Sequence, residues 1–132
     1  FYLEVDINVR VLRWVRAGHE PAMVIDPESG SVEKLKGEGM AIGVDTEYVY
    51  RENTNSFLKK GQILFIGTDG ISETQNASGE RFGEERLSYS LKKWSSLPAR
   101  DIADRIIAAL DEFRGNDKQE DDVTLVIVKF LG

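Results

Sequence analysis

The chain has 132 residues, 41% hydrophobic and 30% charged, an ordinary globular composition of a length expected for one domain. Seventeen Lys and Arg against 23 Asp and Glu leave a net charge of −6, which argues against a nucleic-acid surface built on clustered cations. No apolar run approaches the roughly 18 residues of a membrane span, and the absence of Cys excludes disulfides, thiolate nucleophiles and zinc–sulfur sites and fits a reducing compartment.

In chain order, Phe1-Tyr2-Leu3-Glu4-Val5-Asp6 is strand-like and lacks the basic stretch of a secretory signal. With no initial Met, it suggests a fragment. Residues 9–17 are rich in β-branched and aromatic side chains, and Ile7-Asn8 predicts a two-residue turn making a hairpin. Gly18-His19-Glu20-Pro21 breaks the strand. Residues 22–25 and 32–35 read as partner strands around the turn Asp26-Pro27-Glu28-Ser29-Gly30. Glycines 37, 39 and 43 punctuate a loop. Residues 46–57, with Tyr48, Val49, Tyr50, Thr54 and Phe57, favour an extended run.

Residues 62–67, Gln-Ile-Leu-Phe-Ile-Gly, form the near-continuous apolar run of a strand covered on both faces. Residues 71–79 are polar and turn-rich. Leu87, Leu91 and Trp94 share one face of a helix over 84–94. Pro98 is expected at the first position of a second helix, with Asp101 in its first turn, an apolar stripe of Ile102, Ala103, Ile106, Ile107, Leu110 and Phe113, and Gly115 at its end. Residues 115–120 are a polar loop and 123–130 a buried strand. The pattern is α+β with a largely antiparallel sheet. Each helix covers the sheet with its one apolar face, so the opposite face of 63–66 needs a further cover.

Two acidic positions stand at the ends of apolar runs: Asp69 after the run 63–67, and Asp121-Asp122 before the run 123–128. If those strands are neighbours, Asp69 and Asp121 meet at one end of the sheet, where carboxylate oxygens suit Mg²⁺ or Mn²⁺ and Gly70 permits a sharp turn. The same residues are also compatible with an ordinary turn and a solvated strand terminus. His19 is the only histidine, so no zinc pair exists, and it reads first as a loop or core-edge residue, with a ligand or proton-transfer role the lesser reading. The glycines at 37, 39 and 43 match no nucleotide phosphate loop. Trp14 and Trp94 read as core.

Taken in order, Ala17-Gly18-His19-Glu20-Pro21, Gly39-Met40-Ala41-Ile42-Gly43-Val44, Lys60-Gly61-Gln62, Phe65-Ile66-Gly67-Thr68-Asp69-Gly70-Ile71-Ser72-Glu73, Phe82-Gly83-Glu84-Glu85-Arg86-Leu87 and Gln119-Glu120-Asp121-Asp122-Val123-Thr124-Leu125 resemble the PPM-type metal-dependent serine/threonine protein phosphatases. The likeness is to their bacterial SpoIIE/RsbU-like branch and covers nearly the whole chain. It implies an α-β-β-α sandwich, here the C-terminal portion of one such domain, without the family's N-terminal strands and helices and without its earlier Asp-Gly metal motif. It implies hydrolysis of phosphoserine or phosphothreonine through water activated by two Mn²⁺ or Mg²⁺ ions. Asp69 and Asp121 match metal ligands with catalytic roles; Gly70, Asp122 and His19 are supporting residues, Asp122 as a positioning group. Residues 70–97 correspond to the branch-variable segment, a flap or partner-contact surface.

The implied partner is a phosphorylated regulatory protein of the anti-anti-sigma type, with a sensor or receiver domain upstream and a cytoplasmic location. Three further expectations follow from the departures: little or no turnover by this chain alone, an uncovered apolar sheet face, and self-association through that face. A non-catalytic phosphatase-like binding module is the alternative.

Overall fold

The computed structural model describes residues 1–56, 58–119 and 121–132. Among these residues seven strands and three helices follow in the order β1 (Tyr2–Asp6), β2 (Val11–Val15), β3 (Ala22–Ile25), β4 (Val32–Leu35), β5 (Asn53–Ser56), β6 (Ile63–Gly67), α1 (Asp69–Glu73), α2 (Gly83–Lys93), α3 (Ala99–Arg114) and β7 (Leu125–Lys129). They form two antiparallel sheets, one of order β1-β2-β5 and one of order β4-β3-β6-β7.

Side-chain alternation along β6 explains how the two sheets become a sandwich. Ile63 and Phe65 face the helices, joining Met23 and Ile25 of β3 with Ile71, Phe82, Leu87, Leu91, Ile102, Ile106 and Leu110 in one core. Leu64 faces the other way, into a second core with Ala22, Val24, Leu35, Leu12 and Trp14. The strand is thus covered on both faces, as its apolar run predicts. The cover on the second face is the three-stranded sheet of the chain itself, which corrects the expectation of an uncovered apolar face there and removes the stated basis for self-association.

Element boundaries differ from the sequence reading where side chains capture the backbone. The β1–β2 hairpin has a longer turn than Ile7-Asn8. The Asp6 carboxylate accepts the amides of Asn8 (3.0 Å) and Val9 (3.2 Å), and Arg10 takes a left-handed φ of 56°, so β2 starts only at Val11. The extended run 46–57 shortens to β5, which among the described residues pairs with β2 alone; Val49 stays exposed and Tyr48 stacks edge-on against Tyr50. Phe57 lies outside the described residues.

Residues 69–73 form a one-turn helix rather than a turn, too short for periodicity to reveal. α2 starts at Gly83 and carries Glu84 and Glu85 in its first turn and Lys92 and Lys93 in its last, in keeping with the helix dipole. Pro98 is the residue before α3 rather than its first member; its carbonyl accepts the Ile102 amide at 3.0 Å. Gly115 ends that helix as expected, with φ 66°. Ile107 lies at the rim of the stripe, 38% exposed. The last strand is shorter than 123–130, and it is an edge strand whose Val126 is half exposed. Trp14 is buried with its indole N–H donating to the Lys36 carbonyl at 2.8 Å, while Trp94 packs partly buried on the helical core.

Candidate functional site

Antiparallel pairing decides what meets at the end of the sandwich. β6 runs against β7 in the register Gly67↔Leu125, and against β3 in the register Met23↔Phe65. The C-terminal end of β6, the N-terminal end of β7 and the N-terminal end of β3 therefore share one sheet end. Asp69, Asp121-Asp122 and the loop 16–21 containing His19 follow or precede those ends. The condition set by the sequence, that the two acidic strands be neighbours, is met.

The two acidic segments touch through their backbones. Thr68 is the clasp: its amide donates to the Thr124 carbonyl at 3.0 Å, its hydroxyl donates to the Asp122 carbonyl at 3.0 Å, and the same oxygen accepts the Thr124 amide at 3.1 Å. Gly70 then lies so close that a Cβ on it would stand 2.5 Å from the Asp122 carbonyl oxygen and 3.6 Å from the Asp121 Cβ. The sequence motif Thr-Asp-Gly thus has a packing reason at each end.

Each carboxylate keeps one oxygen for its own loop. Asp69 Oδ1 accepts the Gly70 amide at 3.1 Å, and Asp121 Oδ1 accepts the Asp122 amide at 2.7 Å. Among the described residues, neither Oδ2 has a hydrogen-bond partner, and both residues are exposed. The Asp122 side chain is exposed as well; its backbone, not its carboxylate, makes the contacts. His19 is half-buried. Its Nδ1 stands 2.8 Å from the Glu20 carbonyl and its ring meets Phe1 edge-on at 6.1 Å, while Glu20 and Pro21 line a small cleft with Gly67, Thr68 and Ser72.

Carboxylate oxygens without hydrogen-bond partners among the described residues, one at the start of α1 just after β6 and one in the loop before β7, fit a hard divalent cation in kind. They do not complete its shell, because among the described residues no three of His, Cys, Asp and Glu converge. Mg²⁺ is commonly held by one or two carboxylates with water and phosphate oxygens filling the rest, so a pair is a usable share.

Sequence reasoning missed the neighbours of this pair. A polar cleft of about 700 Å³ is lined by Gly70 and Asp121 together with Glu73, Arg81, Arg114, Lys118 and Gln119, among others. Arg81 bonds Glu73 at 2.9 Å, and Arg114 bonds Asp111 at 2.5 Å. These residues come from three separate segments and carry no shared spacing, so only the fold reveals them. Glu120, within the acidic motif, lies outside the described residues.

With this geometry, the fold is that of the PP2C phosphatase domains. It superposes on the SiaA-PP2C domain of Pseudomonas aeruginosa with a TM-score of 0.84 at 29% identity, over 97% of this chain and 50% of that one. The phosphatase domain of SpoIIE from Bacillus subtilis, in its manganese-presoaked form, shares the fold with a TM-score of 0.68 at 20% identity, over 98% of this chain and 55% of that one. The family described as Stage II sporulation protein E (SpoIIE) matches residues 1–131, and the chain belongs to it. Among curated relatives, protein IcfG of Synechocystis sp. (strain ATCC 27184 / PCC 6803 / Kazusa) is 29% identical over 128 residues, and the phosphoserine phosphatase RsbP of Bacillus subtilis (strain 168) is 28% identical over 127. The chain spans 20% of the first and 29% of the second, with 97% and 96% of its own length covered. Among the described residues no helix is long and apolar enough to cross a membrane.

Proposed function

We propose that residues 1–132 act as the C-terminal portion of a SpoIIE-type phosphatase domain that hydrolyses phosphoserine or phosphothreonine on a regulatory protein. The observation that carries the proposal is the juncture of Thr68–Gly70 with Asp121–Thr124, which brings the segments bearing Asp69 and Asp121 into contact in a chain of this family. Asp69 and Asp121 would hold Mn²⁺ or Mg²⁺, and the name of the manganese-presoaked SpoIIE domain supports the first. When bound, such ions supply an acidified water and neutralise phosphate oxygens.

The chain's own residues do the rest. Thr68 fixes the acidic loop against β6, Gly70 lets it approach, and the Asp122 amide orients one oxygen of Asp121 so that the other points free. The exposure of Asp69, Asp121 and Asp122 suits a phosphate carried on a protein surface better than a small metabolite that a closed pocket would enclose. RsbP is named a phosphoserine phosphatase, which supports the same substrate class here. An anti-anti-sigma-type protein as the partner, an upstream sensor or receiver domain and a cytoplasmic location are parts of the same proposal.

The experiment is hydrolysis of a phosphoserine peptide by the intact protein. Turnover is expected with Mn²⁺ or Mg²⁺ and not in excess chelator. Asp69→Asn should lower kcat/KM by about two powers of ten or more, the equivalent of several kcal/mol of charge stabilisation. Turnover that survives chelation, or an undiminished Asp69→Asn protein, would overturn the reading. That no three metal-ligating side chains converge among the described residues favours a second reading, a binding module without turnover. That reading is upheld by partner binding with no metal-stimulated hydrolysis.

A further inference from the structure

The loop carrying Asp121 leaves α3 at Gly115 and reaches β7 at Leu125, with no helix or strand among its described residues. On the β6 side it is clasped by Thr68. On the α3 side a different device holds it. The Gln119 side-chain amide donates from Nε2 to the Asp121 carbonyl at 2.8 Å, and its Oε1 accepts Nη1 of Arg114 at 2.9 Å. Arg114, in the last turn of α3, is tethered in turn by Nη2 to Asp111 Oδ1 at 2.5 Å and is 20% exposed. Among the described residues its Nε is buried without a hydrogen-bond partner, and the guanidinium's hydrogen bonds are those two fork contacts.

We propose that Gln119 is a positioning residue that locks the main chain of Asp121 to the end of α3, with Arg114 as its anchor. The inference rests on the reading of Asp121 as a cation ligand. The chemistry suits a side-chain amide, whose oxygen accepts from the guanidinium while its nitrogen, on the same planar group, donates to the carbonyl. The end of a packed helix is a fixed point, and the amide ties the main chain of the ligand to it. Losing the link leaves the Asp121 carboxylate chemically intact but free to wander.

The test is Mn²⁺ binding to the intact protein, followed by electron paramagnetic resonance of the free ion. Gln119→Met keeps the length and removes both hydrogen bonds. It is expected to weaken Mn²⁺ about tenfold, to speed amide exchange at Asp122 in metal-free protein, and to leave the melting temperature unchanged because Gln119 is exposed. Arg114→Met is expected to weaken Mn²⁺ too, although it removes a positive charge near the site. The double variant should be no weaker than the poorer single one, since both cut the same link. Mn²⁺ affinity within twofold of the unaltered protein in Gln119→Met, while Asp69→Asn is weakened, would overturn this proposal alone. No saturable Mn²⁺ binding by the unaltered protein would overturn the phosphatase reading and this proposal with it.

Discussion

Gly70→Ala isolates the close approach on which the site is built. Gly70 lies within α1 without a positive φ, so alanine fits the backbone and is, by propensity, up to about 1 kcal/mol the better helix former. Any loss therefore comes from the methyl group. That methyl would stand 2.5 Å from the Asp122 carbonyl oxygen and 3.2 Å from its carbon. Ordinary contact begins near 3.4 Å, so the loop must retreat by about 0.9 Å, beyond the roughly 0.5 Å within which functional groups must be held.

The retreat pulls the Asp122 carbonyl from the Thr68 hydroxyl and moves Asp121 with it. A displacement of this size costs about 100-fold in rate, and overpacking costs about 1–3 kcal/mol of stability, partly offset by helix propensity. The assay is metal-dependent hydrolysis of a phosphoserine peptide alongside thermal melting of the intact protein. Gly43→Ala is the control: it has open space around it but a φ of 89°, so it should lower the melting temperature and leave kcat/KM unchanged. A folded Gly70→Ala protein with kcat/KM within twofold of the unaltered enzyme would refute the argument that this contact sets the position of Asp121.

Two further perturbations test the frame around the site. Lys129 Nζ donates to the carbonyls of Ser95 and Leu97, each at 2.8 Å, tying β7 to the α2–α3 turn; Lys129→Met should cost about 1–3 kcal/mol, read as a lower urea midpoint at constant m-value. Asp26, in the β3–β4 turn, is held below the ordinary aspartate value of 3.8, first by the Ser29 amide and then by the Gln62 side-chain amide, the Glu28 amide and the Lys59 ammonium. As acid is added the unfolded chain takes up this proton first, so the contribution is whole above 3.8 and is lost as pH falls through the lower folded value. Asp26→Asn should flatten the acid limb of a stability profile, and an unchanged limb would count against the assignment.

What could be read from the sequence divides along physical lines. The runs 62–67 and 102–113 were legible because burial imposes a period that survives any local detail, and β6 and α3 lie where the pattern puts them. The pairing of Asp69 with Asp121 was legible as a condition, since both sit at strand ends; whether β6 and β7 are neighbours is a matter of topology that no local pattern states. The cover on the far face of β6 was misread for the same reason. A strand of five residues does not announce which sheet it joins, and Leu12 and Trp14 gave no sign that they belong under Leu64. Gln119 and Arg114 were illegible for a different reason: their bonds run between a helix end and a loop, where neither periodicity nor turn chemistry constrains the residue type.

The same division separates stability from the proposed chemistry. Both cores lie between layers, and their members are apolar side chains from strand and helix interiors. The site depends instead on the Thr68 hydroxyl and on main-chain contacts among Gly70, Asp122 and Thr124, outside both cores at the end of the sheet. Truncating a buried side chain such as Leu64 should therefore weaken folding through a cavity without moving the loop in the molecules that remain folded. Cutting a clasp at the sheet end should do the reverse. Thr68 is where the two requirements meet. Its backbone amide continues the β6–β7 pairing by one residue, to the Thr124 carbonyl, while its hydroxyl holds the loop. A side chain without that hydroxyl preserves the pairing and releases the acidic segment, because the ladder bond belongs to the main chain and the clasp to the oxygen alone.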